Sequence, residues 1–389
     1  MKILLLGEYN SSHYTLKEGL EKLGHEVLVV GHGDGFKKRK VDIKYTLKYT
    51  EGFFGKLKSV LFRIFGFDIT SMDVNRQFDT FKDQLTGFDV VQLINEAAFN
   101  TTPKVEKRLL KFIFENNKNV FLMSCGTDYV SVKYAFEKKF KYSILTPYFE
   151  NKGSKKDFWH AIMHLTKPYV DLHEYVYKNI KGVLASDLDY HIPLIGNKKY
   201  LGMMPNPINL EKLDYIDLKV TDKIVIFHGI NQKNYYKKGN DIFEAALDIL
   251  KKNHAHKIDV ITVRSLPYDA YIKAFDTAHI LLDQVFAYDQ GFNALEAMAK
   301  GKVVFTGAEQ EWLDYYNIEA DTIAINAEPD AEKIAKKLEW LVLHPEKISE
   351  ISKNARAFIE KEHHYVDVAK LYLETWESKL SENATPKIL

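Results

Sequence analysis

The sequence has almost no cysteine, and this limits how the chain can be stabilised. Cys125 is the single cysteine among 389 residues, so an internal disulfide and a cysteine-based zinc site are both excluded. The apolar runs are short as well, and none is long enough to span a membrane. The opening MKILLLG is too short an apolar run for a signal peptide and indicates a buried first strand. We therefore expect a soluble, cytoplasmic protein.

Net charge is also nearly absent. Lys and Arg number 54 against 53 acidic residues, giving a net charge of +1, so no global field would attract nucleic acid. The hydrophobic share of 46% excludes a disordered chain. A length of 389 residues is about twice that of a usual domain, which predicts two domains with separate cores.

Strand and helix patterns alternate along the first half of the chain. Ile3–Leu6 reads as a strand, Gly24 ends the helix that follows, and Glu26–Val30 reads as the next strand. Further strands are predicted at 89–93, 120–123 and 182–185. Such alternation predicts a parallel sheet wrapped by helices.

The segment MMPNPINL, residues 203–210, interrupts this alternation with two prolines. A second alternation starts at Ile224, with strands predicted at 224–227, 258–263, 280–282 and 303–306. Three helices are predicted to finish the chain. We place the domain boundary in the proline-containing segment.

The stretch GFNALEAMAKGKVV, residues 291–304, carries the strongest chemical signal. It predicts a short helix that begins after Gly291, carries Glu296 in its first turns and ends at Gly301. A carboxylate near a helix start can accept both hydroxyls of a ribose, while free backbone N–H groups face a diphosphate. This pattern indicates nucleotide binding.

The same stretch resembles the donor-site motif of family 4 glycosyltransferases, E-G-F-G followed by L-E-A-M-A-x-G-x-P-V. The run Leu295–Ala299, with Gly301 and Val304, matches its later part. Tyr288 stands where the family has its first glutamate, and Val303 replaces the usual proline. We therefore expect Asp289 or Gln290 to take the role of the first glutamate, which in this family is often contact with the sugar.

A second block, FHGINQKNYYKKG at 227–239, is similar to the loop that holds the diphosphate in this family. Lys238 before Gly239 fits the second basic position, and Lys233 is the nearest substitute for the first. Gly229 would let the backbone approach the phosphate. Lysines and helix N-termini can neutralise a departing diphosphate, so no metal or other cofactor is expected and the nucleotide sugar is a co-substrate.

The segment MPNPIN resembles the V-P-N-G-V-D stretch that opens the second domain in the family. The resemblance implies an α/β, B-type glycosyltransferase fold: two Rossmann-like domains, 1–205 and 206–365, facing a central cleft. It also implies retention of configuration and a last helix, 366–389, that crosses back to the first domain. The expected nucleotide-sugar-binding residues are Gly229, Lys233, Lys238, Gly291, Phe292, Asn293 and Glu296, with Asp289 as one catalytic candidate.

In the first domain, the carboxyl ends of the predicted strands supply the acceptor-side candidates. Asp128, in SCGTDY, is the second catalytic candidate, with a helix cap as the equally weighted alternative. Asn95 and Glu96 follow the strand at 89–93, and Asn10 and His13 follow the first strand. For Asn95, Glu96 and His13, as for Asp289, a structural role is the favoured interpretation.

Other functions were weighed against a transferase. Asp187 and Asp189 mimic the metal-binding D-x-D of A-type glycosyltransferases, but we discount the pair because that motif belongs to a single-domain architecture. Gly7 alone, where a dinucleotide fingerprint needs three glycines, argues against a nicotinamide dehydrogenase. A sugar-nucleotide epimerase and a non-catalytic sugar-nucleotide binding protein on the same fold stay open as alternatives.

The acceptor is expected to be a glycan or a lipid-linked molecule. Residues 36–65 combine Lys and Arg with Phe, Leu and Val, which is typical of a segment that rests on an anionic membrane surface. A helix packed on the first domain with a lysine-rich outer face explains the pattern equally well. Peripheral contact with the inner membrane surface is thus one of two open interpretations.

Overall fold

The structure is a computed structural model that describes residues 1–33, 40–50, 66–264 and 275–384, with isolated positions between 51 and 65. Within these residues the chain forms two parallel sheets. The first sheet has the strand order β3-β2-β1-β4-β5-β6-β7, and the second has the order β12-β11-β10-β8-β9. Every described strand pair is parallel.

The strands of the first sheet alternate with helices and take up the first half of the chain. They are β1 (Lys2–Leu6), β2 (Glu26–Gly31), β3 (Ile43–Lys44), β4 (Val90–Leu93), β5 (Val120–Ser124), β6 (Gly182–Ala185) and β7 (Tyr200–Met203). Its helices are α1 (Ser12–Lys22), α2 (Ile69–Phe81), α3 (Pro103–Asn116), α4 (Tyr129–Phe136), α5 (Thr146–Phe149), α6 (Lys155–Ile162), α7 (Lys167–Asn179) and α8 (Leu188–Leu194).

The second sheet and its helices follow. The strands are β8 (Ile224–Ile230), β9 (Ile258–Arg264), β10 (Ile280–Leu282), β11 (Val303–Thr306) and β12 (Ile325–Asn326). The helices are α9 (Asn240–His254), α10 (Phe292–Ala299), α11 (Gln310–Tyr316), α12 (Ala331–Leu343), α13 (Pro345–Glu362) and α14 (Tyr365–Ala384).

The central strands are buried along their whole length. The residues of β4, β5 and β6 are all buried, as are those of β10 and β11. A parallel strand covered by helices on both faces reads as a continuous apolar run rather than an alternating one. This is why the apolar runs of the sequence predicted these strands correctly.

The chain passes twice between the two halves, and the two passages are hydrogen-bonded to each other. Ile208 forms a parallel bridge with His364, and the Ile208 N–H donates to the carbonyl of His363 at 2.7 Å. The His363 ring lies 2.9 Å from the carbonyl of Asn206 through Nδ1. The segment predicted as the hinge therefore runs beside the start of α14, and the boundary at 205/206 falls within this region.

The last helix packs on the first sheet, as the resemblance implied. Trp376 and Tyr372 of α14 are buried in one cluster with Leu5 and Leu16 of the first half. Trp376 also donates through Nε1 to Oε1 of Gln92 at 3.2 Å. A helix from the end of the chain thus completes the core of the first domain, which confirms the predicted fold class of two Rossmann-like domains with a helix that crosses back.

The structure departs from the prediction at Gly229, and it describes only part of the segment 36–65. The strand predicted to end at Phe227 continues to Ile230, so Gly229 lies inside β8, where it pairs with Val263 of β9. The prediction of a loop at this glycine was wrong, because the ladder with β9 continues through His228 and Gly229 to Ile230. Much of the basic, aromatic segment 36–65 lies outside the described residues.

The strand orders place two switch points opposite each other. In the first sheet the order changes direction between β1 and β4, and in the second between β8 and β10. Ligands of open parallel sheets bind beyond the carboxyl ends of the strands at such a point. A ligand site is therefore expected at the loops after these strands.

Candidate active site

One cavity of about 630 Å³ lies between the two halves of the molecule. Its walls come from the loops after β1, β4, β5 and β6 on one side and after β8 and β10 on the other. This volume falls within the range of about 300 to 1,000 Å³ that is usual for small-molecule sites. The fold therefore brings both switch points to a single cleft.

Lys238, which the sequence predicts to hold the diphosphate, lies on the wall of this cavity. Its Nζ donates to Oδ1 of Asp283 at 2.9 Å. The next residue, Gly239, begins α9 with φ of 68°, and a Cβ at this position would lie 2.6 Å from the Val285 side chain. Only glycine permits both this backbone conformation and this close approach, so the loop holds Lys238 in a defined position.

The N-terminus of α10 faces the same cavity. Gly291 and Phe292 line the cavity, and no side chain caps the first turn of the helix. Asn293 donates through Nδ2 to Oδ1 of Asp283 at 3.2 Å. Glu296 lies one turn further along and is half-buried. Asn293 and Lys238 therefore share Asp283 as a partner, whereas Glu296 is not among the residues that line the cavity.

Asp283 was missed by the sequence reading. It directly follows β10, its side chain is 1% exposed, and it accepts from both Lys238 and Asn293. The available signal was its place at the carboxyl end of a buried strand. This signal identifies Asp283 only when the strand order is known, because the pairing of β10 with β8 brings Asp283 beside the loop that carries Lys238.

Asp289 also lines the cavity, and it connects the two halves. Its Oδ2 accepts from the backbone N–H of Leu188 at 3.2 Å, and its Oδ1 accepts from the N–H of Gln290 at 2.6 Å. Burial raises the pKa of Asp289 to about 6. Near neutral pH this carboxyl group can therefore accept a hydrogen bond or, in its protonated fraction, donate one.

The discounted pair Asp187 and Asp189 lies next to Asp289. Asp187 caps α8 by accepting from the Asp189 N–H at 3.1 Å, while Asp189 accepts from the N–H of Tyr288 at 3.1 Å. Burial raises the pKa of Asp189 to about 7 and that of Asp187 well above its usual range. Both carboxyl groups thus accept hydrogen bonds from backbone N–H groups. In the described part of the chain, no cluster of three or more potential ligands could hold a metal ion.

Tyr288, which replaces the first glutamate of the family motif, is not among the residues that line the cavity. It is buried, and its hydroxyl accepts from the backbone N–H of Lys141 at 2.8 Å. Its ring lies 5.1 Å from that of Phe140. The residue therefore ties the donor-side loop to the first half of the chain, and of its neighbours both Asp289 and Gln290 line the cavity.

The basic loop after β8 differs from the prediction in one respect. Lys233 is exposed on a short turn and lines a separate, smaller pocket beside Arg264. Lys237, which the pattern did not single out, lines the main cavity together with Lys238. The turn Gln232–Asn234 leaves Lys233 outside the main cavity, whereas Lys237 lines both pockets.

Asn10 and Asn95 are the acceptor-side candidates that reach the cavity. Asn95 donates through Nδ2 to the carbonyls of Cys125 and Thr127, at 2.5 and 3.0 Å. It therefore holds the loop after β5 in position beside the cavity.

The other candidates of the first half are buried and engaged in structural bonds. Asp128 caps α4 by accepting from the Ser131 N–H at 2.8 Å, and it also accepts from the Ser124 hydroxyl. Glu96 pairs with Nδ1 of His173 at 2.6 Å. These bonds match the structural alternatives considered for both residues, and the catalytic role of Asp128 stays a prediction.

His13 is likewise a residue of the interior. It is 1% exposed, and its Nδ1 lies 2.8 Å from the carbonyl of Gly7. Burial lowers its pKa to about 4, so the ring is neutral at physiological pH. Its position fits a role in holding the loop after β1.

A segment of the first half, residues 138–157, reaches across to the second. Tyr142 and Lys141 both contact Glu309, the latter at 3.2 Å, and Lys152 lies 3.4 Å from Asp241. These ion pairs and hydrogen bonds hold the two sides of the cleft together. The structure therefore shows the cleft in a closed arrangement.

The comparisons with known proteins agree with this geometry. The family model described as glycosyl transferase-like matches residues 239–374. Sucrose-phosphate synthase from Thermosynechococcus elongatus is similar in structure, with a TM-score of 0.61 and 12% identity over 98% of this chain and 100% of that chain. No curated protein matches the chain in sequence.

Two further similar structures were solved with uridine nucleotides bound. HepE from Anabaena, in complex with UDP and glucose, has a TM-score of 0.56 and 14% identity over 97% of this chain and 100% of that chain. The UDP-GlcNAc 2-epimerase from Neisseria meningitidis, bound to UDP-GlcNAc, has a TM-score of 0.52 and 14% identity over 97% of this chain and 100% of that chain.

The fold and cleft are those of B-type glycosyltransferase structures, and residues 239–374 match the glycosyl transferase-like family. The predicted class is thereby confirmed by the glycosyl transferase-like match and the two parallel sheets. Membership of family 4 in particular stays a prediction.

Proposed function

We propose that this protein transfers a sugar from a UDP-sugar to a glycan or lipid-linked acceptor in the cleft. The observation that carries the proposal is that Lys238 and the N-terminus of α10 lie on one wall of the cavity at the switch point of the second sheet, with Glu296 further along the same helix. Uridine is favoured as the base because the similar structures of HepE and the Neisseria epimerase both contain uridine nucleotides. The second domain is thus the donor half.

We propose further that the transfer does not need a metal ion. A departing nucleoside diphosphate gains negative charge, which preorganised donors can stabilise. Lys238 and the backbone N–H groups at the start of α10 lie at one wall of the cavity and can supply such donors. The carboxyl groups of Asp187 and Asp189 accept from backbone N–H groups in the structure, which supports a structural rather than a metal-binding role.

Asp289 is our candidate for contact with the transferred sugar. It is the carboxyl group next to Gln290 and Gly291 on the cavity wall, one position beyond the family's first glutamate. Two backbone N–H groups hold its side chain. A hydroxyl of the sugar can therefore meet a fixed carboxyl group there.

The test of the donor site is Glu296→Ala, with Glu311→Ala on the exposed face of α11 as the matched control. Losing the hydrogen bonds between the ribose and a carboxylate should cost about 1.5 to 3 kcal/mol of binding free energy, so UDP affinity should fall by about 10- to 150-fold. Calorimetric titration with UDP measures this directly. An unchanged dissociation constant in the Glu296 variant would remove this residue from the site.

A second experiment separates a transferase from an epimerase. The protein is incubated with a UDP-sugar, with and without candidate acceptors, and the nucleotide products are resolved by chromatography. A transferase releases UDP in proportion to the acceptor added. Conversion of the UDP-sugar to its epimer without an acceptor would favour the epimerase alternative, and binding without any turnover would favour a sugar-nucleotide binding protein.

We propose that a lipid-linked acceptor is reached at a membrane surface through residues 36–65. In the part of this segment that the structure describes, Phe54, Val60 and Phe62 are 55%, 50% and 49% exposed. No helix in the described residues is both long and apolar enough to cross a bilayer. Exposed apolar side chains among basic residues support contact with an anionic surface.

Vesicle flotation tests this contact. The protein should float with vesicles containing phosphatidylglycerol, less so at high salt, and not with pure phosphatidylcholine vesicles. Phe62→Ser should weaken flotation, whereas Leu371→Ser, at an exposed position of α14, should not. Equal flotation of both variants would show that the segment is not the contact.

A further inference from the structure

The wall that the first half contributes to the cavity carries no cationic side chain. In the described part of the chain, no lysine or arginine of residues 1–205 lines the cavity, whereas Lys237 and Lys238 line it from the second half. The first half does contribute His160 and His164, and burial lowers the pKa of each to about 4. Both rings are therefore neutral at physiological pH, so this wall offers no positive charge to a phosphate or a carboxylate.

The acidic side chains of this half also disfavour an anion. Asp187 and Asp189 line the cavity, and each accepts a hydrogen bond from a backbone N–H group. An anionic group of an acceptor would be desolvated beside them without a counter-charge, which is strongly unfavourable. Leaving the charge of a wrong ligand unpaired is one way in which a site gains specificity.

Neutral side chains that form hydrogen bonds converge on the same wall from three elements. Thr127 lies in the loop after β5, His164 in the turn Met163–Leu165 and Tyr169 on α7, and all three line the cavity. Oγ1 of Thr127 lies 3.3 Å from Nε2 of His164, whose ring centre lies 4.9 Å from that of Tyr169. His164 is 4% exposed, and its Nδ1 has no hydrogen-bond partner among the described residues. Hydroxyl groups and a neutral imidazole can both donate and accept, as the hydroxyls of a sugar do.

Apolar side chains of the first half line the cavity as well. They are Val132, Ala135, Phe140, Ile144, Leu145 and Met163. A mostly apolar wall with a few placed polar groups is typical of a site that orients a small molecule. The two kinds of side chain match the two surfaces of a sugar ring, which has hydroxyls at its edge and C–H groups on its face.

We propose that this wall selects an uncharged sugar as the acceptor, with its hydroxyls at Thr127, His164 and Tyr169 and its C–H face on the apolar side chains. The inference rests on the proposed function and deepens it, because it names the chemical class of the acceptor unit. The neutral terminal sugar of a glycan, free or lipid-linked, meets this requirement. A uronic acid or a phosphorylated sugar at this position does not.

Matched pairs of methyl glycosides test the charge selection on the full chain with UDP bound. The methyl glucoside, galactoside and mannoside are each compared with the corresponding methyl uronide, in which a carboxylate replaces the hydroxymethyl group. In titrations followed by ligand-observed NMR, the tightest ligand should be neutral and should bind at least about tenfold more tightly than its own uronide. A smaller ratio, a uronide as the tightest ligand, or no binding by any neutral glycoside would overturn the proposal.

Tyr169→Phe and Tyr175→Phe locate the site, because both tyrosines lie on α7 but only Tyr169 of the two lines the cavity. Loss of the hydroxyl should weaken binding of the tightest neutral glycoside by about 3- to 10-fold in Tyr169→Phe and by less than about twofold in Tyr175→Phe. Thr127→Val, which keeps the shape of the side chain, should behave like Tyr169→Phe. Wild-type affinity in both cavity variants, or an equal loss in Tyr175→Phe, would contradict the proposed position of the sugar. UDP titration of each variant checks that it is folded.

Turnover separates this inference from the proposed function. If a neutral glycoside binds with the expected charge selection but releases no UDP from any UDP-sugar, the transferase proposal fails and the sugar site stands. If UDP release instead requires a uronide or a sugar phosphate as acceptor, the transferase proposal stands and the neutral sugar site fails.

Discussion

Lys238 and Asp283 provide the most informative perturbation of the donor half. Their atoms are 2.9 Å apart, but the side chains differ in exposure, 31% for Lys238 and 1% for Asp283. Oδ2 of Asp283 has no hydrogen-bond partner, and Oδ1 keeps only the amide of Asn293 once the lysine is removed. The two single substitutions should therefore have unequal effects on stability.

Removing one partner of a fully buried ion pair costs about 3 to 5 kcal/mol, because the remaining charge stays buried without compensation. Since Lys238 is partly exposed, we expect Lys238→Met to lower the free energy of unfolding by about 2 kcal/mol. Asp283→Asn leaves a lysine that can reach water, and it should cost less than about 1 kcal/mol. The double variant, which has no buried charge, should resemble Asp283→Asn, so the coupling energy should equal the cost of Lys238→Met, about 2 kcal/mol.

Urea denaturation of the four proteins measures this cycle, and UDP titration adds an independent reading. Binding should weaken by about 10- to 100-fold in both variants that lack Lys238, including the restabilised double variant. Asp283→Asn should keep most of its affinity. Additive stability effects would show that Lys238 does not compensate Asp283, and UDP binding by the double variant would remove Lys238 from the donor site.

Other predictions concern the acceptor side, the metal, the last helix and pH. Asp128→Asn should reduce turnover with little change in UDP affinity if it acts in transfer; wild-type turnover in a folded variant would leave it as a helix cap. Turnover should persist in excess chelator, and loss restored by manganese would revive a metal role for Asp187 and Asp189. Trp376→Ala should lower the free energy of unfolding by about 3 to 5 kcal/mol, whereas Leu371→Ala, exposed on the same helix, should change it little. Because burial raises the pKa of Asp189 to about 7, its protonated carboxyl group favours the folded state at low pH. This contribution to stability is complete below about pH 4 and is lost as the pH rises towards 7. Asp189→Asn should therefore gain stability relative to wild type between pH 5 and 8 in urea titrations, and a constant difference would contradict the shift.

Much of the fold could be read from the sequence alone. Apolar runs predicted the buried strands of both sheets because a parallel strand covered on two faces must be apolar throughout. The prolines of MPNPIN marked the passage between the domains. Gly291 and Glu296 could be located on a short helix from spacing alone, because the start of a helix and its first turns are local properties.

Tertiary structure alone decided which side chains meet. Lys233 and Lys237 look alike in sequence, yet the turn at Gln232–Asn234 sends only Lys237 to the cavity. The pairing of β10 with β8 brings Asp283 beside Lys238. The segment that crosses the cleft supplies the backbone N–H of Lys141, from which the Tyr288 hydroxyl accepts. Local sequence determines propensity and period, whereas these contacts join residues far apart in the chain, and their geometry exists only once the sheets have formed and closed on each other.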